Sequence, residues 1–174
     1  NLHLKEFGRH HRFVTANYGI DTMRDMPESD WHIARGTFVL YHLFPNIQFL
    51  ADPNSATLIR IYPDGDNPGR STTRISFYYT EEALAAIEAD RATNDAEMDV
   101  YNRESDAVFG VEAAMEVFYS TVEREDYVMG EMQQRAAETG MLKEIIFGRN
   151  EPALHHFHQN YREALNQPPL EPVS

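Results

Sequence analysis

A change of period at Thr80 constrains this chain more than any other feature. Before it the sequence is strand-like. Thr73, Ile75, Phe77 and Tyr79 fall on one side of an extended segment, and Arg74, Ser76 and Tyr78 on the other. GTFVLYHLFPN is an apolar run closed by Pro45-Asn46, and IQFLADPNS is a strand that ends in a turn signal. EFGRHHRFVTANY has β-forming residues with polar interruptions. TLIRIYP and STTRISFYY flank the Pro-, Gly- and Asp-rich YPDGDNPGRS, which predicts a hairpin with a long connection. After Thr80 the pattern is helical. Thr80 is placed to cap TEEALAAIEADRA, whose first-turn acids suit the helix dipole. A long helical region then runs to Gly140, a C-terminal cap. A last helix starts near Pro152 and stops before Pro168-Pro169, leaving a loose tail over 167–174. Strands first and helices after predict one α+β domain over residues 1–174: an antiparallel sheet covered by helices.

Charge and composition narrow the function. The 28 acidic residues outnumber 15 basic ones, for a net −13, so duplex nucleic acid and anionic membranes are repelled. No apolar run is long enough to span a bilayer, and no signal peptide pattern is present, so a cytoplasmic protein is expected. With no cysteine, disulfides, Fe–S clusters and thiolate zinc sites are excluded within the chain. The start at Asn1, in the midst of NLHLKEFGRHHRFV, suggests a piece of a longer polypeptide.

Two stretches carry chemistry. Stepping at helical spacing through MEVFYSTVEREDYVMGEMQQRAAETG gives Met115, Phe118, Val122, Asp126, Met129, Gln133 and Ala136. Asp126 is the one residue in that stripe that does not suit an interior. An inward carboxylate costs several kcal/mol, of order, unless it is paired or bound to a cation. The pattern equally allows a surface Asp126 paired with Arg124 or Arg135, with a helix starting at the Ser120-Thr-Val-Glu123 capping box. The second stretch, EPALHHFHQNYREAL, gathers His155, His156 and His158 near Glu151. On a helix, Glu151 and His158 are roughly 10 Å apart along the axis, too far to share one ion. Packing and hydrogen bonding are the expected roles of these histidines. Asp106, Glu112 and Glu116 read as a solvated helical face.

The segment from Glu123 to Leu165 resembles the C-terminal end of the alpha subunit of Rieske-type ring-hydroxylating oxygenases. The carrying residues are Glu125-Asp126, then Glu131 with Gln134-Arg135, then Gly148-Arg149-Asn150-Glu151 and Leu154 to His158. The run YHLFPNIQFLADPNSATLIRIYPDG resembles that family's sheet. The resemblance implies a helix-grip (START-like) fold, with substrate between a curved sheet and a long helix. It also implies a mononuclear iron(II) held by two histidines and a carboxylate, the carboxylate matching Asp126. Candidate pocket residues are Phe49, Phe77, Tyr79, Phe118 and Met129, with Gln133 or Gln134 as possible hydrogen-bond partners of a ligand.

The departures from the family pattern are informative. The Asp-x-x-His-x(4–5)-His segment is absent, for His3, His10 and His11 lack the preceding Asp and the spacing. The Cys–His pairs of the Rieske cluster are absent too. The resemblance therefore implies the C-terminal part of a longer subunit, which as a fragment binds no iron and is inactive. In the full-length subunit it implies Fe(II), a [2Fe-2S] cluster, and electrons from a reductase or ferredoxin. O2-dependent mono- or dioxygenation of an aromatic or apolar substrate would follow, in a homotrimer or α3β3 assembly. The competing expectation is a metal-free START-like module that binds a small hydrophobic ligand.

Overall fold

The computed structural model describes residues 2–16, 20–31, 36–93, 115–116, 118–141 and 144–172. The chain divides into two compact units, one of Asn1–Tyr78 with Ile146–Ser174 and one of Tyr79–Ile145.

The first unit is built on a six-stranded antiparallel sheet in sequence order: β1 (His3–Phe7), β2 (His10–Ala16), β3 (Thr37–Leu43), β4 (Ile47–Ala51), β5 (Ser55–Asp64) and β6 (Asn67–Tyr79). Each connection has a local cause. Gly8, at φ +60, turns β1 into β2, so EFGRHHRFV is a hairpin and not one strand. Phe44-Pro45-Asn46, with a cis Phe44–Pro45 bond, separates β3 from β4. There the Phe44 N–H donates to His10 Nδ1 at 2.9 Å, and Asn46 Nδ2 to the Ile61 carbonyl at 2.8 Å. The β5–β6 connection is shorter than the sequence suggests. Gly65, at φ +61, and Asp66 alone make the turn. The surrounding Pro, Asp and Asn residues are strand ends, tied by an Arg70–Asp64 ion pair at 3.1 Å. The long β2–β3 connection contains a short helix α1 (Ile20–Met23) and a 3-10 turn at Glu28–Asp30, closed by Trp31 Nε1 donating to the Met26 carbonyl at 3.2 Å.

Register fixes the two faces of the sheet. His11 opposes His42, and His42 opposes Gln48, which opposes Ile59. On the other face a single row runs Lys5, Arg12, Tyr41, Phe49, Leu58 across five strands. The last helix of the chain (Pro152–Ala164) lies against β2 on the histidine face, as shown by His11–His156 and His42–Phe157 ring contacts at 5.0 and 4.9 Å. Beyond that helix, Gln167 and Leu170 donate backbone N–H groups back to it, to the Arg162 carbonyl and Gln159 Oε1.

The described residues of the second unit are mainly helical. α2 (Glu81–Thr93) starts as its sequence predicts, with Thr80 Oγ1 accepting from the Ala83 N–H at 3.2 Å. A wound segment over Phe118–Tyr127 runs directly into α3 (Val128–Glu138), and the helix at Pro152–Ala164 is therefore α4. Gly140, at φ +67, follows α3 with its N–H on the Ala137 carbonyl, the expected C-terminal cap. The helix expected across residues 94–114 lies outside the described residues. The architecture is thus α+β, in the order the change of period at Thr80 implied.

Candidate functional site

Asp126 sits in a segment that departs from α-helical geometry. Phe118–Tyr127 is wound with i→i+5 bonds, a rare form that recurs at functional sites. The winding can be read from side chains. At 3.6 residues per turn, residues nine apart stand on opposite sides of a helix. Yet the Phe118 and Tyr127 rings meet edge to face, with centroids 6.1 Å apart. Two wider turns bring them onto one side. The inward stripe drawn at α-helical spacing does not hold through this winding, for its Asp126 is not buried. Asp126 is exposed, with Glu123, Arg124 and Glu125 also exposed around it. Helix precedes Ser120 as well as following it, so the Ser120-to-Glu123 capping box does not start a helix here.

The other predicted site residues are distributed between the two units. In the second, Phe118 is half-buried and Met129 is 55% exposed. Gln134 is half-buried and donates to Glu138 Oε1 at 3.0 Å, whereas Gln133 is exposed. In the first, Phe49 and Phe77 are both half-buried but stand on opposite faces of the sheet. Phe49 is on the face of Tyr41 and Leu58. Arg60, of that same face, donates to Ser76 Oγ at 3.1 Å, so alternation turns Phe77 to the other side. No pocket on one face of the sheet takes both. Tyr79, at the end of β6, is half-buried and has the parity of Phe77.

Among the described residues of the first unit, the best-buried side chains are His11, His42 and Asn160, at 5, 4 and 8% exposure, and the apolar Met23. His11 stacks on His42 with centroids 5.0 Å apart. The carbonyl of Gly8 can only accept, so His156 Nε2 donates to it at 2.9 Å. A neutral His156 then accepts at Nδ1 from His11 Nδ1–H, 3.0 Å away. His42 Nδ1 accepts from Gln48 Nε2 at 3.0 Å, which leaves its Nε2–H buried without an acceptor among the described residues. Burial, reinforced by the neighbouring His11, His156 and His10, pulls the His42 pKa down to about 4. Burial and His156 likewise lower that of His11, against an opposing pull from Glu6.

The histidine stretch of α4 has the packing role its spacing predicts. His155 Nε2 donates to the Gly148 carbonyl at 2.9 Å, and His158 stacks on Phe147 at 4.6 Å. Among the described residues, no group of three His, Asp or Glu side chains is gathered to hold a metal ion. Residues 79–145 contain no histidine at all.

The first unit also holds an apolar cavity of about 420 Å3, which no motif predicts, lined by Ile20, Met23, Arg24, Trp31, Gly36 and Thr37. Gly36 lets the chain pass Met23, since a Cβ there would fall 2.7 Å from Met23 Sδ. The sequence signal for it is the single tryptophan of the chain, set in a segment with neither period.

The family described as ring hydroxylating alpha subunit (catalytic domain) matches residues 2–167. Neither a search of curated proteins nor one of solved structures returns a match. The family's catalytic domain is of the helix-grip type, and the six-stranded antiparallel sheet followed by helices agrees with it. Strand pairing, helix order and a match over nearly all of its length agree: the chain belongs to the ring-hydroxylating alpha subunit family, within the catalytic domain.

Proposed function

We propose that this chain is the C-terminal portion of the catalytic domain of an oxygenase component that uses O2 to hydroxylate an aromatic or similarly apolar substrate, and that Asp126 is its carboxylate ligand to a mononuclear iron. The observation that carries the assignment is an exposed carboxylate in an i→i+5 wound segment, inside the family match. A carboxylate oxygen suits a divalent iron, and the open coordination positions of a two-histidine, one-carboxylate set suit O2.

The described residues do not make that set by themselves. Among them no group of three His, Asp or Glu side chains is arranged to hold a metal ion, and in this reading Asp126 supplies the anionic oxygen while the two histidines come from elsewhere in the intact subunit. Phe118 and Met129, close to Asp126 along the same helical segment, are the proposed apolar contacts of the substrate on this unit. On the sheet, Phe77 and Tyr79 are proposed as pocket wall. A Rieske [2Fe-2S] cluster, electron supply from a ferredoxin or reductase, and a trimeric or α3β3 assembly complete the reading for the intact subunit. None of the described helices is long and apolar enough to cross a membrane, which suits the proposed cytoplasmic location.

The test is iron content in the intact subunit. Asp126→Ala is expected to leave less than about a tenth of the wild-type iron, with the fold retained by circular dichroism, while Glu125→Ala keeps it. Stoichiometric iron in Asp126→Ala would overturn the assignment.

A further inference from the structure

The row Glu6, His11, His42, Gln48 crosses four strands on the face of the sheet that α4 covers. α4 is held there by its own His156, Phe157 and Tyr161. The Phe157 ring meets His42 edge-on at 4.9 Å, the Tyr161 ring lies 5.0 Å from Phe44, and the Tyr161 hydroxyl donates to the Pro45 carbonyl. Arg9 and Glu163 add an exposed ion pair at 3.1 Å, which is worth little in water. The polar centre of the docking is His156. Its Nε2–H donates to the Gly8 carbonyl, and its Nδ1 stands 3.0 Å from His11 Nδ1.

Two ring nitrogens at that distance need one proton between them. With both imidazoles neutral, His11 Nδ1–H donates to His156. One added proton leaves the bond intact, because a charged His11 still donates at Nδ1 to a neutral His156. A second added proton does not. Each imidazole is then a donor at both nitrogens, and two N–H groups and two positive charges face each other across 3.0 Å. The groups around the pair give little relief. Glu6, directly across the strand pair from His11, is exposed. His42 of β3 stacks on His11 at 5.0 Å, and His10 of β2 also acts on His42. Arg9 and Glu163 answer each other, and Glu151 accepts from the Gly148 N–H. On α4, His155 is bonded to the Gly148 carbonyl, and His158 has Arg162 beside it. Burial, with His156 next, holds the His11 pKa below its ordinary 6.5.

We infer that α4 is an acid-released latch, docked on the sheet while His11 and His156 hold at most one added proton between them and released when both are charged. Release uncovers His11 and His42, while the strands keep their pairing. The inference rests on contacts within the first unit and is independent of the role of Asp126.

Spin-label distances across the docking test it. The chain has no cysteine, so Lys5→Cys with Ala164→Cys, both exposed positions, places one label on β1 and one on α4. In this labelled chain a single docked distance is expected at pH 7, and its share should fall below about half by about pH 4.5, with the strand signal in circular dichroism unchanged. His156→Gln supplies an amide nitrogen to donate to Gly8 and an amide oxygen to accept from His11, and it takes up no proton. Added to the labelled chain, it should keep the docked share above about nine-tenths at the same pH. His42→Gln leaves both partners of the bond in place and should still release α4. A docked distance that persists at that pH in the labelled chain, or that is lost only together with the strand signal, overturns the proposal without recourse to either further variant. Release in His156→Gln as complete as without it also overturns the proposal, as does persistent docking in His42→Gln, which would make His42 the trigger.

Discussion

His42→Gln isolates the buried histidine cluster. In the wild type His42 is 4% exposed, stacked on His11 and met edge-on by Phe157. Its pKa lies at about 4 against an ordinary 6.5. A base whose folded pKa is depressed takes up its proton more readily in the unfolded chain. Its stabilising contribution is therefore fully present above pH 6.5 and is lost as pH falls toward 4. The displacement corresponds to about 3 kcal/mol over that interval, an upper figure because the unfolded chain keeps some structure. The groups facing His42 are His11 and His10 from β2 and His156 from α4, with Glu6 of β1 acting on His11. His11 is lowered too, so its protonation opposes folding in the same direction. Glutamine keeps a polar side chain of similar reach and removes the titration. Urea unfolding of both proteins across this range measures the effect. The wild type should lose about 3 kcal/mol more than His42→Gln between pH 6.5 and 4, the carboxylates common to both cancelling in the comparison. Parallel stability profiles would refute the reasoning, showing that His42 titrates normally in the folded protein.

Further measurements address the frame around the site. Thr80→Ala removes the acceptor of the Ala83 N–H and should destabilise α2 by about 1 kcal/mol, read as faster amide exchange in its first turn. Gly140→Ala places a Cβ at φ +67 in open space and should cost about 1 kcal/mol through backbone strain alone, with Gly140→Asn costing less, by urea unfolding. Gly36→Ala drives a methyl to 2.7 Å from Met23 Sδ and should destabilise by about 1–3 kcal/mol. Because Trp31 lines the same cavity and is the single tryptophan, its emission should shift in that variant, and unchanged emission would show that Gly36 and Trp31 do not share a wall.

Phe118 and Asp126 show how far a helical period can be trusted. At 3.6 residues per turn the sequence puts them in one broad stripe, but the backbone is wound with i→i+5 bonds, and it is Tyr127 that meets Phe118. Nothing in residue order announces that winding, since the same side chains are compatible with either ladder. Phe49 and Phe77 are likewise indistinguishable in sequence as apolar residues of strands. Which face each one takes depends on the register across β3 to β6, a property of pairing and not of either strand.

Some features are local and readable directly. Thr80 caps because its hydroxyl reaches the third residue on, Gly140 caps because only it enters φ +67 without strain, and Pro152 opens a helix because its missing N–H has no bond to lose. The order of strands before helices follows from period, and the role of the α4 histidines from the rise of a helix. The tertiary structure alone brought His11, His42 and His156 together from positions 31 and 145 residues from His11. It also set Lys5, Arg12, Arg60 and Arg74 on one face. Contacts that distant carry no local signal: they arise where strand register and helix docking place side chains whose sequence neighbours point elsewhere.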